Sequence, residues 1–188
     1  LIDQWRQRLG YIVQVSVNMS PVQFKYMNNN RWFEYLTQLG LPGNCINVEI
    51  TEGLLLKDSS VVQDYLLEFR NCGVEVSIDD FGTGYSSLSY LSRFPLDELK
   101  IDRSFVIDFD KSQNDASLVI AIIAMARSMR LQLVAEGVET REQYHFLRSN
   151  GASVIQGYLF SKPVPFAELK DLLAPGYFKE QIAELNAY

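Results

Sequence analysis

Alternating hydrophobic and polar residues along the chain predict short β-strands separated by helices. In the clearest stretch, Val74, Val76 and Ile78 alternate with polar residues, which is the period of a strand. Similar runs recur, so strands are predicted within residues 11–19, 46–52, 74–78, 98–102, 131–135 and 151–160. Helical periodicity occupies residues 1–9, 32–39, 59–73, 115–129, 140–149, 165–173 and 177–187. Gly10 is predicted to end the first of these helices, Ser59 to cap the third, and Thr140 with Gln143 to form a capping box at the start of the fifth. Strands that alternate with helices in this way favour an α/β fold with parallel pairing.

Polar residues collect at the points where the predicted strands run into loops. Two adjacent aspartates, Asp79 and Asp80, follow the strand that ends at Ile78, and a glycine-rich segment comes next. Adjacent carboxylates repel each other unless a cation lies between them, although an Asp-rich turn is the common alternative. Corresponding polar residues near the other strand ends are Asn18, Glu49, Lys100, Glu136 and Gln156.

The spread of these residues over many strands distinguishes two α/β architectures. In a (β/α)8 TIM-like barrel the carboxyl ends of all strands converge on one face, where such proteins place their sites. An open doubly wound sheet gathers its ligands at a single switch point. The pattern therefore favours the barrel, with about six of the eight strands present in this chain.

Composition restricts the class of protein and its partners. The chain has 188 residues with 47% apolar and 21% charged side chains, which predicts a single globular domain. A net charge of −6 argues against binding to duplex nucleic acid. Cys45 and Cys72 lack the spacing of a metal site, so reduced thiols and a cytoplasmic location are expected. No apolar run is long enough for a membrane span, although the chain could be the cytoplasmic part of a membrane-anchored parent.

Several longer motifs resemble those of the EAL-domain cyclic di-GMP phosphodiesterases. The central motif is residues 79–91, DDFGTGYSSLSYL. The others, in family order, are VNMS at 17–20, EITE at 49–52, LKIDRSF at 99–105, VAEGVET at 134–140 and QGYLFSKP at 156–163. Together they cover nearly the whole chain, which makes the resemblance specific.

The resemblance implies a barrel that hydrolyses cyclic di-GMP to linear pGpG with Mg²⁺ or Mn²⁺ in a two-metal site. By position in the family motifs, Asn18, Glu49 and Asp79 would hold one metal ion, with Asp79 bridging to the second. Asp80 would hold the second ion, and Glu136 would act there as ligand, as general base, or as both. These oxygen ligands are the kind that hard divalent cations require.

Further roles follow from the same resemblance. Lys100 would hydrogen-bond the attacking water or a phosphate oxygen and so count as catalytic, and Glu52 would stabilise the loop that follows Asp80. The expected substrate-binding residues are Gln156, Glu139, Pro163 and Phe81.

Simpler explanations remain open for several of these residues. Asn18 could form a turn, and Lys100 could extend its ammonium group to solvent. Glu52 could lie exposed in its loop, and Glu139 could be an acidic residue favoured at a helix N-terminus.

The chain departs from the family at its beginning. The Glu-Ala-Leu motif does not occur before Asn18, so we expect residues 1–188 to be a single EAL-type barrel domain that lacks its first two strands and most of its first helix region. The main hypothesis is an active phosphodiesterase portion. The alternatives are an inactive cyclic di-GMP receptor and a protein-interaction scaffold. The expected partners are cyclic di-GMP, a second copy in a homodimer, and an upstream sensory or diguanylate-cyclase-type domain.

Overall fold

The computed structural model describes residues 1–26, 31–55, 60–84, 91–107, 109 and 113–187. Within these ranges the chain forms two compact units, Leu1–Lys100 and Ile101–Tyr188. The predicted cap at Ser59 and most of the loop after Gly84 lie outside the described residues. The prediction of a single domain stays a prediction.

The first unit alternates helices and strands as the hydrophobic pattern predicts. Its helices are α1 (Ile2–Leu9), α2 (Pro21–Tyr26), α3 (Arg31–Gln38), α4 (Glu52–Leu55) and α5 (Ser60–Asn71). Its strands are β1 (Val15–Asn18), β2 (Ile46–Thr51), β3 (Glu75–Phe81) and β4 (Glu98–Ile101), which lie in the sheet in sequence order. Ile101, the last residue of β4, belongs to the second unit.

Parallel register in the first unit brings particular residues side by side. Asn18 of β1 lies opposite Glu49 of β2, and Glu49 lies opposite Ser77 of β3. Because side chains alternate along a strand, these residues share one face of the sheet and Asp79 follows on the same face. Apolar residues of the other face, such as Ile50 and Ile78, are fully buried.

The second unit contains β5 (Gln132–Ala135) and β6 (Val154–Ile155), which pair in parallel. Its helices are α6 (Arg103–Ile107), α7 (Gln113–Met129), α8 (Arg141–Ser149), α9 (Phe166–Leu172) and α10 (Lys179–Asn186). Thr140 and Gln143 form the predicted capping box at the start of α8. Among the helices of the described ranges, none is both long and apolar enough to cross a membrane.

Two predicted strands differ in length from the observed ones. β3 continues beyond Ile78 through Asp79, Asp80 and Phe81 instead of ending before the aspartates. The strand predicted within residues 151–160 is reduced to Val154–Ile155. Asp79 and Asp80 are therefore residues of β3 itself and do not lie in the loop that follows it.

Candidate active site

Lys100 joins two of the predicted metal ligands on the inner face of β2, β3 and β4. Its Nζ lies 2.8 Å from Oε1 of Glu49 and 3.2 Å from Oδ1 of Asp79. Lys100 is only 5% exposed and Glu49 only 8%, so the ammonium group is buried between the carboxylates. The alternative in which Lys100 extends to solvent is therefore wrong. Two carboxylates that converge on one cation are already arranged as ligands of a positive charge.

Asn18 lies beside this cluster in the sheet. It is the last residue of β1 and pairs in register with Glu49, so its place is in the strand and not in a turn. The backbone N–H of Met19 donates to the carbonyl oxygen of Glu49 at 2.9 Å, which extends the pairing one residue further. The register thus brings Asn18 and Glu49 to one strand end, as their predicted shared role requires.

Asp80 marks the point where β3 turns away from the sheet. Its φ of +54° lies in the left-handed region, which aspartate tolerates better than most residues. Its N–H donates to Oδ1 of Asp79 at 3.1 Å, and Thr83 Oγ1 donates to its carbonyl oxygen at 2.9 Å. The local geometry therefore fixes the two aspartates relative to each other.

Glu52 contacts the segment that follows Asp80. Its Oε2 accepts hydrogen bonds of 3.2 Å from the backbone N–H groups of both Gly82 and Gly84. A Cβ added at Gly84 would lie 2.7 Å from Oε1 of Glu52, so any other residue there would have to displace the Glu52 carboxylate. Glu52 is buried, which excludes the exposed alternative, and Phe81 at the end of β3 is buried as well.

In the second unit, the segment after β5 is held through its backbone. Glu136 N–H donates to the Ile101 carbonyl oxygen at 3.3 Å, and Gln156 N–H donates to the Ala135 carbonyl oxygen at 2.9 Å. Val138 N–H then donates to the Gln156 carbonyl oxygen at 3.1 Å. The predicted site residues Glu136 and Gln156 are therefore attached to neighbouring strand ends.

Close packing at two glycines reinforces this segment. A Cβ at Gly157 would lie 2.1 Å from the carbonyl oxygen of Val138, and a Cβ at Gly137 would lie 2.2 Å from Cγ of Arg103. Gly137 also has a φ of +68°, in the region that favours glycine. A side chain at position 157 would therefore displace the backbone at Val138, and one at position 137 would displace the side chain of Arg103.

Glu139 is paired with an arginine and exposed. Its Oε1 accepts a hydrogen bond of 2.8 Å from Nη2 of Arg103, and its backbone N–H donates to Oε1 of Gln143 at 2.7 Å. A contact between Glu139 and a guanine base would compete with this ion pair. Its substrate-binding role stays a prediction.

Two other predicted substrate contacts line one cavity of about 400 Å³ in the second unit. Gln156 and Pro163 lie on its wall together with Tyr158 and Lys162. The Lys162 Nζ is 5.8 Å from the centre of the Tyr158 ring, within the range of a cation–π contact. An aromatic ring beside a cation suits a flat ligand that carries negative charge.

Sequence reasoning missed a second polar layer, one step further back along the same strands. Ser77 Oγ donates to Oδ1 of Asn47 at 2.8 Å, and Asn47 Nδ2 donates to Oε1 of Glu98 at 3.1 Å. Each of these residues stands two positions before Asp79, Glu49 or Lys100 in its strand. That regular offset is the signal in the sequence that could have identified them.

The donor atoms of the site fit a hard divalent cation. Carboxylate oxygens from Glu49 and Asp79 converge on one positive charge, and the amide side chain of Asn18 lies at the adjacent strand end. Over the described ranges, no three Asp, Glu, His or Cys side chains are gathered closely enough to hold a metal ion. The metal-binding roles therefore stay predictions.

Comparison with known proteins places this geometry in a family. The EAL domain family matches residues 1–163. The cyclic di-GMP phosphodiesterase NbdA of Pseudomonas aeruginosa is 51% identical over 138 residues, which are 73% of this chain and 18% of NbdA. The chain thus spans about a fifth of the length of that relative.

Solved structures agree with the sequence comparison. The PaMucR phosphodiesterase in complex with c-di-GMP superposes with a TM-score of 0.82 at 38% identity, over 89% of this chain and 68% of that one. A manganese/cy-diGMP complex of Klebsiella pneumoniae BlrP1 gives 0.77 at 32% identity, over 86% and 42%. The predicted fold class, an α/β fold of the EAL barrel type, is confirmed. From its sequence motifs, its strand-end residues and these similarities, the chain belongs to the EAL domain family.

Proposed function

We propose that this chain is the catalytic portion of a phosphodiesterase that hydrolyses cyclic di-GMP to linear pGpG with Mg²⁺ or Mn²⁺. The observation that carries the proposal is the buried convergence of Glu49 and Asp79 on the ammonium group of Lys100. The names of the similar proteins support it, since NbdA is called a cyclic di-GMP phosphodiesterase and the BlrP1 structure contains manganese with the nucleotide.

The roles of the residues follow from where each lies. Asn18, Glu49 and Asp79 would hold one divalent cation at adjacent strand ends, and Asp80 would hold a second. Bound cations would lower the pKa of a water molecule and offset the charge that develops on the phosphate. Lys100, which contacts two of these carboxylates, would hydrogen-bond the same water or a phosphate oxygen.

Glu136 is proposed to lie beside the second metal ion, where it would act as a ligand, as the general base that takes the proton from the attacking water, or as both. Its position at the end of β5 is fixed by the backbone contacts to Ile101 and by the close packing at Gly137 and Gly157. A base must be held within hydrogen-bond distance of the proton that it removes, and a rigid segment provides this.

Substrate contacts are proposed for the residues around the cavity of the second unit. Gln156 and Pro163 would contact one guanylate half, with Tyr158 and Lys162 beside them on the wall. Glu139 would reach the guanine after release from Arg103, Phe81 would also contact the substrate, and Glu52 would stabilise the loop after Asp80.

The partners of the whole protein are proposals too. The chain covers 18% of NbdA and 25% of a second relative, the cyclic di-GMP phosphodiesterase PdeR of Escherichia coli. An upstream sensory or diguanylate-cyclase-type domain and a homodimer are therefore proposed from the family pattern alone. We also propose, from the same family pattern, that upstream residues complete a single barrel domain.

The deciding experiment measures cyclic di-GMP hydrolysis with Mn²⁺ by this chain and by a longer form extended upstream. The Glu136→Gln variant of the active form should lose at least about 100-fold in turnover, since it removes the proposed base. Glu142→Gln is the matched control, because Glu142 is exposed on the first turn of α8.

Each outcome selects one of the hypotheses. Turnover that is lost in Glu136→Gln and kept in Glu142→Gln supports the proposed function. Tight binding of cyclic di-GMP without turnover in either form would favour the receptor. Absence of both binding and turnover would favour the interaction scaffold.

A further inference from the structure

A buried polar layer lies directly behind the Lys100 cluster on the same three strands. Asn47 of β2 and Ser77 of β3 are 2% and 0% exposed, and Glu98 of β4 is partly buried beside them. A chain of hydrogen bonds runs from Ser77 to Asn47 and from Asn47 to Glu98, at 2.8 and 3.1 Å. Burial of a polar group lowers the stability of the fold unless the group is hydrogen-bonded, and these three residues hydrogen-bond to one another.

Glu98 adds a third carboxylate to this part of the first unit. With Glu49 and Asp79 it makes three negative groups in the two layers against the single ammonium of Lys100. Burial raises the pKa of Glu98, and the negative charge of Glu49 adds to that rise, while hydrogen bonds from Asn47 and Ser77 and the charge of Lys100 oppose it. When all three carboxyl groups are ionised, the two layers carry more negative charge than the ammonium group of Lys100 offsets.

We propose that Glu98 is a positioning residue of the metal site, whose partly buried charge, held in place by Asn47 and Ser77, strengthens the binding of a divalent cation by Glu49 and Asp79. The proposal rests on the proposed function, because it assumes that those two carboxylates bind the cation. Glu98 lies two residues before Lys100, or roughly 7 Å along β4, so it acts through the electric field and not as a ligand. Charges at such distances interact strongly where water is excluded.

Substitution of Glu98 separates its charge from its hydrogen bonds. Glutamine keeps an oxygen that can accept the bond from Asn47 Nδ2, so Glu98→Gln removes the charge and leaves this contact. Aspartate keeps the charge but shortens the side chain by one methylene group. In calorimetric titration of the purified chain with Mn²⁺, the dissociation constant of Glu98→Gln should rise about tenfold. That of Glu98→Asp should stay within about twofold, because the charge remains.

Glu75→Gln is the matched control. Glu75 lies on the same face of β3, two residues before Ser77, and accepts a hydrogen bond of 2.7 Å from Gln14. Because it is one step further from the cluster, loss of its charge should weaken Mn²⁺ binding less than loss of Glu98. The melting temperature of each variant, measured without metal, shows whether the fold is retained.

The outcomes distinguish this inference from the function on which it rests. Unchanged Mn²⁺ affinity in Glu98→Gln, with binding by the original chain, would overturn the inference alone. So would a larger loss in Glu98→Asp than in Glu98→Gln, which is the result of a purely structural role. Failure of both this chain and the form extended upstream to bind Mn²⁺ would overturn both proposals.

Discussion

The strand ends of the two units hold their polar residues in different ways. In the first unit the contacts are between buried charged side chains, with Lys100 between Glu49 and Asp79. In the second unit the backbone is held, by hydrogen bonds between Val138 and Gln156 and by the close approach at Gly157. Charge therefore fixes individual atoms in one region, whereas packing fixes a whole segment in the other.

This difference agrees with the proposed roles, in which the first unit binds the metal ions and the second supplies the general base and substrate contacts. Cation ligands must be placed to within fractions of an ångström, and a buried ion cluster restricts their rotamers. A segment that carries a general base and a substrate contact needs a fixed backbone. Exposed side chains on it, such as that of Glu139, can then still change their conformation. Three substitutions test the contrast, in order of expected effect.

The largest effect is expected from Lys100→Met. Removal of the ammonium group leaves the buried Glu49 and the partly buried Asp79 without their cation, and the free energy of unfolding should fall by about 3 kcal/mol at neutral pH. Denaturant unfolding of the metal-free chain measures it. Added Mn²⁺ should recover part of the loss, since the ion supplies positive charge to the same carboxylates.

Lys162→Met is the control for that change. Lys162 is exposed and lies over the ring of Tyr158, so its loss should change stability by less than about 1 kcal/mol. Equal effects of the two lysine substitutions would contradict the view that charge holds the first unit.

Gly157→Ala should come next, with a loss of about 2 kcal/mol in the free energy of unfolding. The new Cβ would meet the carbonyl oxygen of Val138 at 2.1 Å, and the segment after β5 must shift to relieve it. Gly53→Ala is the control, because a Cβ at Gly53 in α4 has nothing within 4 Å. A loss no larger at Gly157 than at Gly53 would remove packing as the explanation.

The smallest effect is expected from Arg103→Met. The variant breaks the ion pair with Glu139 but keeps an aliphatic side chain over Gly137. Because the two side chains are 53% and 40% exposed, solvent screens the pair, and stability should fall by less than about 1 kcal/mol. The difference should shrink further in 1 M salt. A salt-independent loss above that limit would show that charge matters in the second unit as well.

Much of the fold could be predicted because local patterns and tertiary structure agree. The strand alternation around Val76, the glycine stop of α1 at Gly10, and the capping box of Thr140 and Gln143 all appear as predicted. Such signals depend on neighbours in sequence, so a single chain carries them in full.

The missed features depend on partners far away in the chain. Repulsion between Asp79 and Asp80 predicts the end of β3, yet the strand continues because Lys100 offsets the charge of Asp79 from 21 residues further on. Asn47 and Ser77 were missed because polar residues at alternate strand positions normally indicate a solvent-facing side. Asn47 and Ser77 can be buried here because they hydrogen-bond across neighbouring strands, to each other and to Glu98.

The contact between Gly157 and Val138 has a consequence for natural variation. A backbone atom cannot be exchanged by mutation, so position 157 has no compensating partner and any side chain there must displace the segment after β5. The pair of Arg103 and Glu139 is different, because two coordinated changes can replace one exposed ion pair with another. Among working relatives, position 157 should therefore be fixed as glycine, whereas the stability of the fold should depend much less on positions 103 and 139.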